Sequence, residues 1–156
     1  MKKYELCLND KITFLGRELF RIKSLISFAT SNGEEISEGD LGGYIEKEEN
    51  LSQDGNAWVG GNAKVYGDAK VYGDAWVGGN AEVGGNAHIF TASPIGRYAQ
   101  TITFFRTNNN EIAIGFGFNL YTIQEFEEVM TDWPESQVKV AKAVIEAAKL
   151  HIDLSE

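Results

Sequence analysis

The chain has 156 residues, among them one cysteine, two histidines, 17 glycines and two prolines, and carries a formal net charge of −9. That length fits one domain whose core needs neither metal nor disulfide, and the lone Cys7 excludes an internal disulfide framework and a cysteine-cluster zinc site. The acidity argues against a general nucleic-acid binder, and no stretch approaches the roughly 18 apolar residues of a membrane span. Met-Lys-Lys followed by the mixed residues 4–10 is not a signal-peptide core, so a soluble cytoplasmic protein is expected.

Residues 1–32 have a charge balance of +3 and read as strands over 4–8, 12–15 and 19–28, with a turn at Gly16-Arg17. A polar loop over 30–33 follows. Residues 33–54 then swing to −7 through Glu34, Glu35, Glu38, Asp40, Glu46, Glu48, Glu49 and Asp54 against Lys47. Such a run is ordinarily a solvated face; its sharper reading is a surface that imitates nucleic-acid phosphate or meets a basic partner. Residues 1–50 thus form an N-terminal β cap with an acidic entry segment.

From Val59 the sequence repeats every six residues, through Val65, Val71, Val77, Val83, Ile89 and Ile95. Four positions after each stands a small residue: Ala63, Ala69, Ala75, Ala81, Ala87, Ser93 and Ala99. Gly-Asn or Gly-Asp pairs sit between, as in Gly61-Asn62 and Gly67-Asp68. Alanine and valine two apart share one face of a short strand, and Gly with Asn or Asp tolerates the positive φ of a corner. The competing reading, an antiparallel sheet with Gly-Asn hairpin turns, asks for longer alternating runs and a looser period.

The template resembles the hexapeptide repeat of left-handed parallel β-helices. Three hexads per coil, as the resemblance implies, would stack residues 18 apart at about 4.8 Å. Trp58 would lie on Trp76 beside a column of Gly60, Gly78 and Gly96. Lys64 would lie on Glu82 beside Tyr66, Lys70 on His88, and Tyr72 on Phe90. The expected fold is therefore mainly β: a short left-handed parallel β-helix of two to three coils over residues 51–100, between the N-terminal cap and a C-terminal hairpin with two helices. Outward aromatic ladders need covering, by the chain's own C-terminal region, a second subunit, or a ligand on the Trp58/Trp76 platform.

Beyond the repeat, residues 101–106 and 112–118 alternate as a β-hairpin. Thr122-Ile123-Gln124-Glu125 is a capping box opening a helix. Asp132-Trp133-Pro134-Glu135 can start a second, with Val138, Ala141, Ile145, Ala148 and Ile152 along one stripe. Residues 101–156 form a cap or an oligomerisation element, in one compact domain overall.

Residues 39–45, Asn50-Leu51-Ser52 and Gly55-Asn56-Ala57-Trp58-Val59, with Phe104-Phe105-Arg106-Thr107, are similar to short prophage and bacterial hexapeptide-repeat proteins labelled acyltransferases or polymer-forming proteins. Acyltransferases of the fold use a histidine base, for which His88 is the candidate here, but no loop interrupts the repeat to build an acceptor pocket. Carbonic anhydrases of the fold need three histidines for zinc, and this chain has two. The resemblance therefore implies no catalytic residue, cofactor or metal. It implies a non-enzymatic, homo-oligomeric binding protein of phage or mobile-element type in a bacterial host, acting against host defence by one of two routes. In one, a nucleotide-type signal is sequestered: Trp58, Trp76, Tyr72 or Phe90 stacks on its base, and Lys64, Lys70 or Arg97 meets its phosphates, with His88 in the same outward set. In the other, the acidic residues Glu34, Glu35, Glu38, Asp40, Glu46, Glu48 and Glu49 block a nucleic-acid-binding protein. No direct nucleic-acid or membrane partner is expected. A structural or assembly module is the alternative, and an acyltransferase using His88 a further one.

Overall fold

Strands β1 (Tyr4–Phe14) and β2 (Arg17–Ser24) form an antiparallel ribbon closed by Leu15 and Gly16, both at positive φ. Its register slips between Cys7 and Lys11, and Leu19 and Ile22 of β2 point into the core. The computed structural model describes residues 2–96, 98–117 and 119–155. A short pair, β3 (Phe28–Ala29) and β4 (Glu35–Ile36), carries the chain to β5 (Leu41–Ile45), which lies antiparallel to β2.

The hexad segment supplies four strands of two residues each: β6 (Trp58–Val59), β7 (Lys64–Val65), β8 (Trp76–Val77) and β9 (Glu82–Val83). Trp58 pairs in parallel with Trp76, and Lys64 with Glu82, each across 18 residues of chain. Strands β7 and β9 extend β5, giving a mixed five-stranded sheet in the order β1-β2-β5-β7-β9, while β6 and β8 make a separate two-stranded sheet. Val59, Val65, Val71, Val77 and Val83 are fully buried between these sheets, with Ala63, Ala69, Ala75 and Ala81 beside them.

The left-handed parallel β-helix expected over residues 51–100 is not what forms. Among the described residues the molecule is mainly β, with several separate antiparallel and mixed sheets and two α-helices, and no solenoid of three continuous parallel sheets. Two-residue strands are too short to hold such sheets by themselves. Tyr72 lies in no strand, and its neighbour Val71 contributes only an isolated bridge to Leu51. The parallel pairs instead attach to the antiparallel N-terminal ribbon, and at Ile89 the chain leaves the hexad geometry for a second antiparallel sheet.

That sheet runs in sequence order through β10 (Ile89–Ile95), β11 (Gln100–Arg106), β12 (Ile112–Phe116) and β13 (Asn119–Thr122). Its strand β11 is buried along most of its length because it faces two cores. Phe105 packs among the valines of the repeat, whereas Ile102 and Phe104 join a second cluster with Phe126, Ala141, Ile145 and Ala148. The last three project from α2 (Glu135–His151), and Phe126 from α1 (Ile123–Val129). Helix α1 opens on the reciprocal box read in the sequence: the Glu125 amide donates to Thr122 Oγ1 at 3.1 Å, and the Thr122 amide to Glu125 Oε1 at 2.8 Å. The end of α2 is tied to the repeat, where the Asp153 amide donates to the Ala87 carbonyl at 2.8 Å.

Candidate functional site

The 18-residue register turns three sets of side chains out of the repeat, and their fates differ. The first is closed. Trp58 is 1% exposed and packs edge-on against Phe28 at 5.5 Å between centroids. Trp76 is half-buried, and its indole Nε1 donates to Glu34 Oε1 at 3.0 Å. A Cβ at Gly78 would stand 2.4 Å from Trp76 Cη2, so the tryptophan ring itself fills the expected glycine shelf. The stacking platform read for Trp58 and Trp76 is therefore corrected: Trp58 is core, and Trp76 is half-buried at the core edge with its indole tied to Glu34.

The second set is closed as well. Tyr66 lies under the N-terminal ribbon, edge-on to Phe14 at 5.4 Å, and its hydroxyl accepts from Arg106 Nη2 at 3.0 Å. Lys64 is half-buried, with Nζ 5.3 Å from the Phe14 ring centroid, a cation–π contact away from the Tyr72 cavity.

The third set is open. Tyr72 is 68% exposed, and with Lys70, Asn86, Phe90, Thr91 and His151 it lines a cavity of about 290 Å³. Lys70 and Asn86 also line a neighbouring concavity of about 340 Å³, whose far side carries Lys47, Glu49 and Asp68. Among the described residues Lys70 makes no ion pair. His151, at the end of α2, holds its ring beside Phe90 at 5.5 Å and puts Nε2 2.7 Å from the Asn86 carbonyl. Because a carbonyl only accepts, Nε2 is the protonated nitrogen there, which leaves Nδ1 outside that bond.

Of the expected ligand residues, the structure thus gathers Lys70, Tyr72 and Phe90 in one place and separates them from Trp58, Trp76 and Lys64. His88 is not on the open surface: it is 5% exposed, and its Nδ1 accepts from the Gly84 amide at 3.0 Å. A ring nitrogen committed in this way is poorly set to take a proton from a substrate hydroxyl. Arg97 lies outside the described residues. The sequence reading does not place His151, Asn86 or Thr91 in the ligand set, and only the return of α2 onto the repeat brings His151 to Phe90.

The acidic run is partly consumed internally. Glu34 holds Trp76, Glu46 pairs with Arg17 at 2.9 Å and accepts from the Gly67 amide at 2.8 Å, and Glu48 pairs with Lys2 at 2.8 Å. The Lys2 hydrogen bond holds the Glu48 carboxyl below its ordinary range. Asp40 accepts from the Ser37 amide, while Glu35 and Glu38 are exposed and Glu49 lines the smaller concavity. Among the described residues no helix is long and apolar enough to cross a membrane.

No family model, curated protein or solved structure matches the chain. The resemblance to hexapeptide-repeat proteins, including the prophage and bacterial group, is corrected accordingly: the hexads are real as a sequence pattern, but neither the sheets they form nor any family match sustains that membership.

Proposed function

We propose that this chain is a non-enzymatic binding protein that captures a nucleotide-type small molecule in the cavity formed by Lys70, Tyr72, Phe90 and His151. One observation carries the reading. Of the outward rings of the repeat, Trp58 and Tyr66 are buried and Trp76 is half-buried, whereas Tyr72 stands exposed beside a cation that has no ion-pair partner among the described residues. A base stacked on an aromatic ring gains about 1–3 kcal/mol, and a lysine contributes a charge-assisted hydrogen bond to phosphate. The volume lies near the lower end of ligand cavities, which suits one base with its phosphate. Asn86 and Thr91 supply the polar groups that would fix its orientation.

The blocking of a nucleic-acid-binding protein by the acidic run has weaker support, since Glu34, Glu46 and Glu48 already serve partners within the fold. The setting implied by the resemblance, a phage-borne protein acting on host defence, has no counterpart in these side chains and forms no part of the proposal. Homo-oligomerisation belongs to it, because a second copy against the open side would wall the cavity beyond Tyr72.

Native mass spectrometry of the protein from a bacterial host, followed by calorimetric titration with linear and cyclic nucleotides, tests the reading. The expected result is a saturable complex with at least one nucleotide, weakened tenfold or so by Lys70→Ala and by Tyr72→Ala. No binding across the panel, or binding indifferent to both substitutions, overturns it.

A further inference from the structure

A second cavity, beside the antiparallel sheet and the two helices, has a different chemistry. It has a volume of about 510 Å³ and opens where the β10–β11 turn, the β12–β13 turn and the α1–α2 connection meet. Four aromatic rings line it: Tyr98, Phe116, Tyr121 and Trp133. Phe116 and Trp133 pack together at 5.7 Å between centroids, which holds both rings in place, while Tyr98 is 76% exposed at the rim. Gly96 lies beside the two rings at φ 77°, where a Cβ would come into van der Waals contact with Phe116 Cζ and Trp133 Cη2 at 3.4 Å. Asp132 is the charged group of the lining, it makes no ion pair among the described residues, and no lysine or arginine lines the cavity among them.

We propose that this cavity binds a small organic cation of the alkylated-ammonium type. An ammonium carrying methyl groups has no strong need for hydrogen-bond acceptors, is attracted to the negative faces of aromatic rings, and keeps its methyls in apolar contact. Asp132 adds a single anionic group at the edge, where it can balance the charge without stripping it of all its water. The site shares no residue with the Lys70–His151 cavity, and an anionic ligand suited to that one is disfavoured here.

Choline serves as the probe, with dimethylbutanol as its neutral carbon isostere. Titrations are followed on the Trp133 indole N–H resonance, assigned by its disappearance in Trp133→Phe. Choline is expected to shift that resonance saturably and to bind about tenfold more tightly than the isostere, with Asp132→Asn removing part of the difference and the rings keeping the rest. Asp132 and Tyr98 are exposed, so Asp132→Asn and Tyr98→Leu are expected to keep the native spectrum elsewhere, and Tyr98→Leu should weaken choline severalfold. Equal affinity for choline and the isostere, a shift by glucose in place of choline, or no effect of either substitution overturns the proposal. So does a Trp133 resonance that choline leaves unmoved.

Discussion

Glu34 Oε1 accepts a hydrogen bond from the Trp76 indole Nε1 at 3.0 Å, joining two residues 42 positions apart in sequence. The bond helps to hold Trp76 half-buried against Gly78, beside the buried Trp58, while Tyr72 stands exposed. Glu34→Ala should cost about 1–2 kcal/mol, since the lost bond has a charged acceptor on a half-buried donor. Trp76 emission should move to the red as water reaches the indole, while Glu34→Gln should retain most of the wild-type stability. Unchanged emission in Glu34→Ala would mean that packing on Gly78 and Gly115 alone holds the ring.

Asn50 is fully buried, and its amide uses both ends. Oδ1 accepts from the Glu46 and Lys47 amides at 3.1 and 3.0 Å, and Nδ2 donates to the Gly67 and Ala69 carbonyls at 3.2 and 2.9 Å. No other side chain of similar size both donates and accepts in this fork, apart from the longer glutamine. Asn50→Ala would strand the Lys47 amide and two carbonyls, while the Glu46 amide keeps its bond to the Val65 carbonyl, and a loss of about 3 kcal/mol in urea unfolding is expected. Asn50→Asp should be as harmful near neutral pH, because a carboxylate faces the same two carbonyls. A loss under 1 kcal/mol in both would show that water replaces the amide.

The division between what the residues announce and what they hide follows from range. The inward valines and alanines of the hexads and the Thr122/Glu125 box depend on contacts a few residues apart or on a strict period, and both are visible in sequence. The mainly β character and the two C-terminal helices follow from the same local patterns. The β-helix did not follow, because a six-residue period specifies which side chains turn inward but not how strands of two residues are continued. That is settled by β2 and β5, which have no hexad pattern and impose an antiparallel edge. The site was hidden for a related reason. Phe14, Phe28 and Glu34 seal two of the three outward sets from distant segments, and His151 reaches the third only through the docking of α2. No period in the chain encodes those four meetings.

Lys70→Ala and Tyr72→Ala should be nearly silent in folding. Tyr72 is 68% exposed and Lys70 makes no ion pair among the described residues, and surface changes of this kind stay within about 0.5 kcal/mol. Phe90→Ala is a useful contrast. Its ring is half-buried and packs against Phe104 at 6.1 Å, so a loss of about 1–3 kcal/mol in unfolding is expected together with any effect on binding. Thermal unfolding of the three variants separates a site residue from a core residue. If Tyr72→Ala proved as destabilising as Phe90→Ala, Tyr72 would have to be covered in solution, by a second copy of the chain for instance.

Lys3 is 2% exposed, and its Nζ donates to the Ala57 carbonyl at 2.6 Å and to the Gly55 carbonyl at 3.3 Å. Burial pulls its pKa down from 10.5 to about 8, with Asp54 opposing in part. Below pH 8 the lysine is charged in both folded and unfolded chains, and the fold bears the cost of burying that charge. Between about 8 and 10.5 the folded chain has released the proton and the unfolded chain has not, so stability rises with pH, by at most roughly 1.4 kcal/mol per unit. Tyr4 works in the other direction: burial, then Glu48 and Glu49, pushes its phenol up, so the folded chain keeps a proton that the unfolded chain loses above about pH 10. Urea midpoints should therefore climb from pH 7.5 to about 9.5 and stop climbing near 10. Lys3→Met should abolish the climb while leaving the decline above it. A wild-type profile flat across that window would mean that water reaches the Lys3 ammonium and that its two carbonyl partners hold it charged.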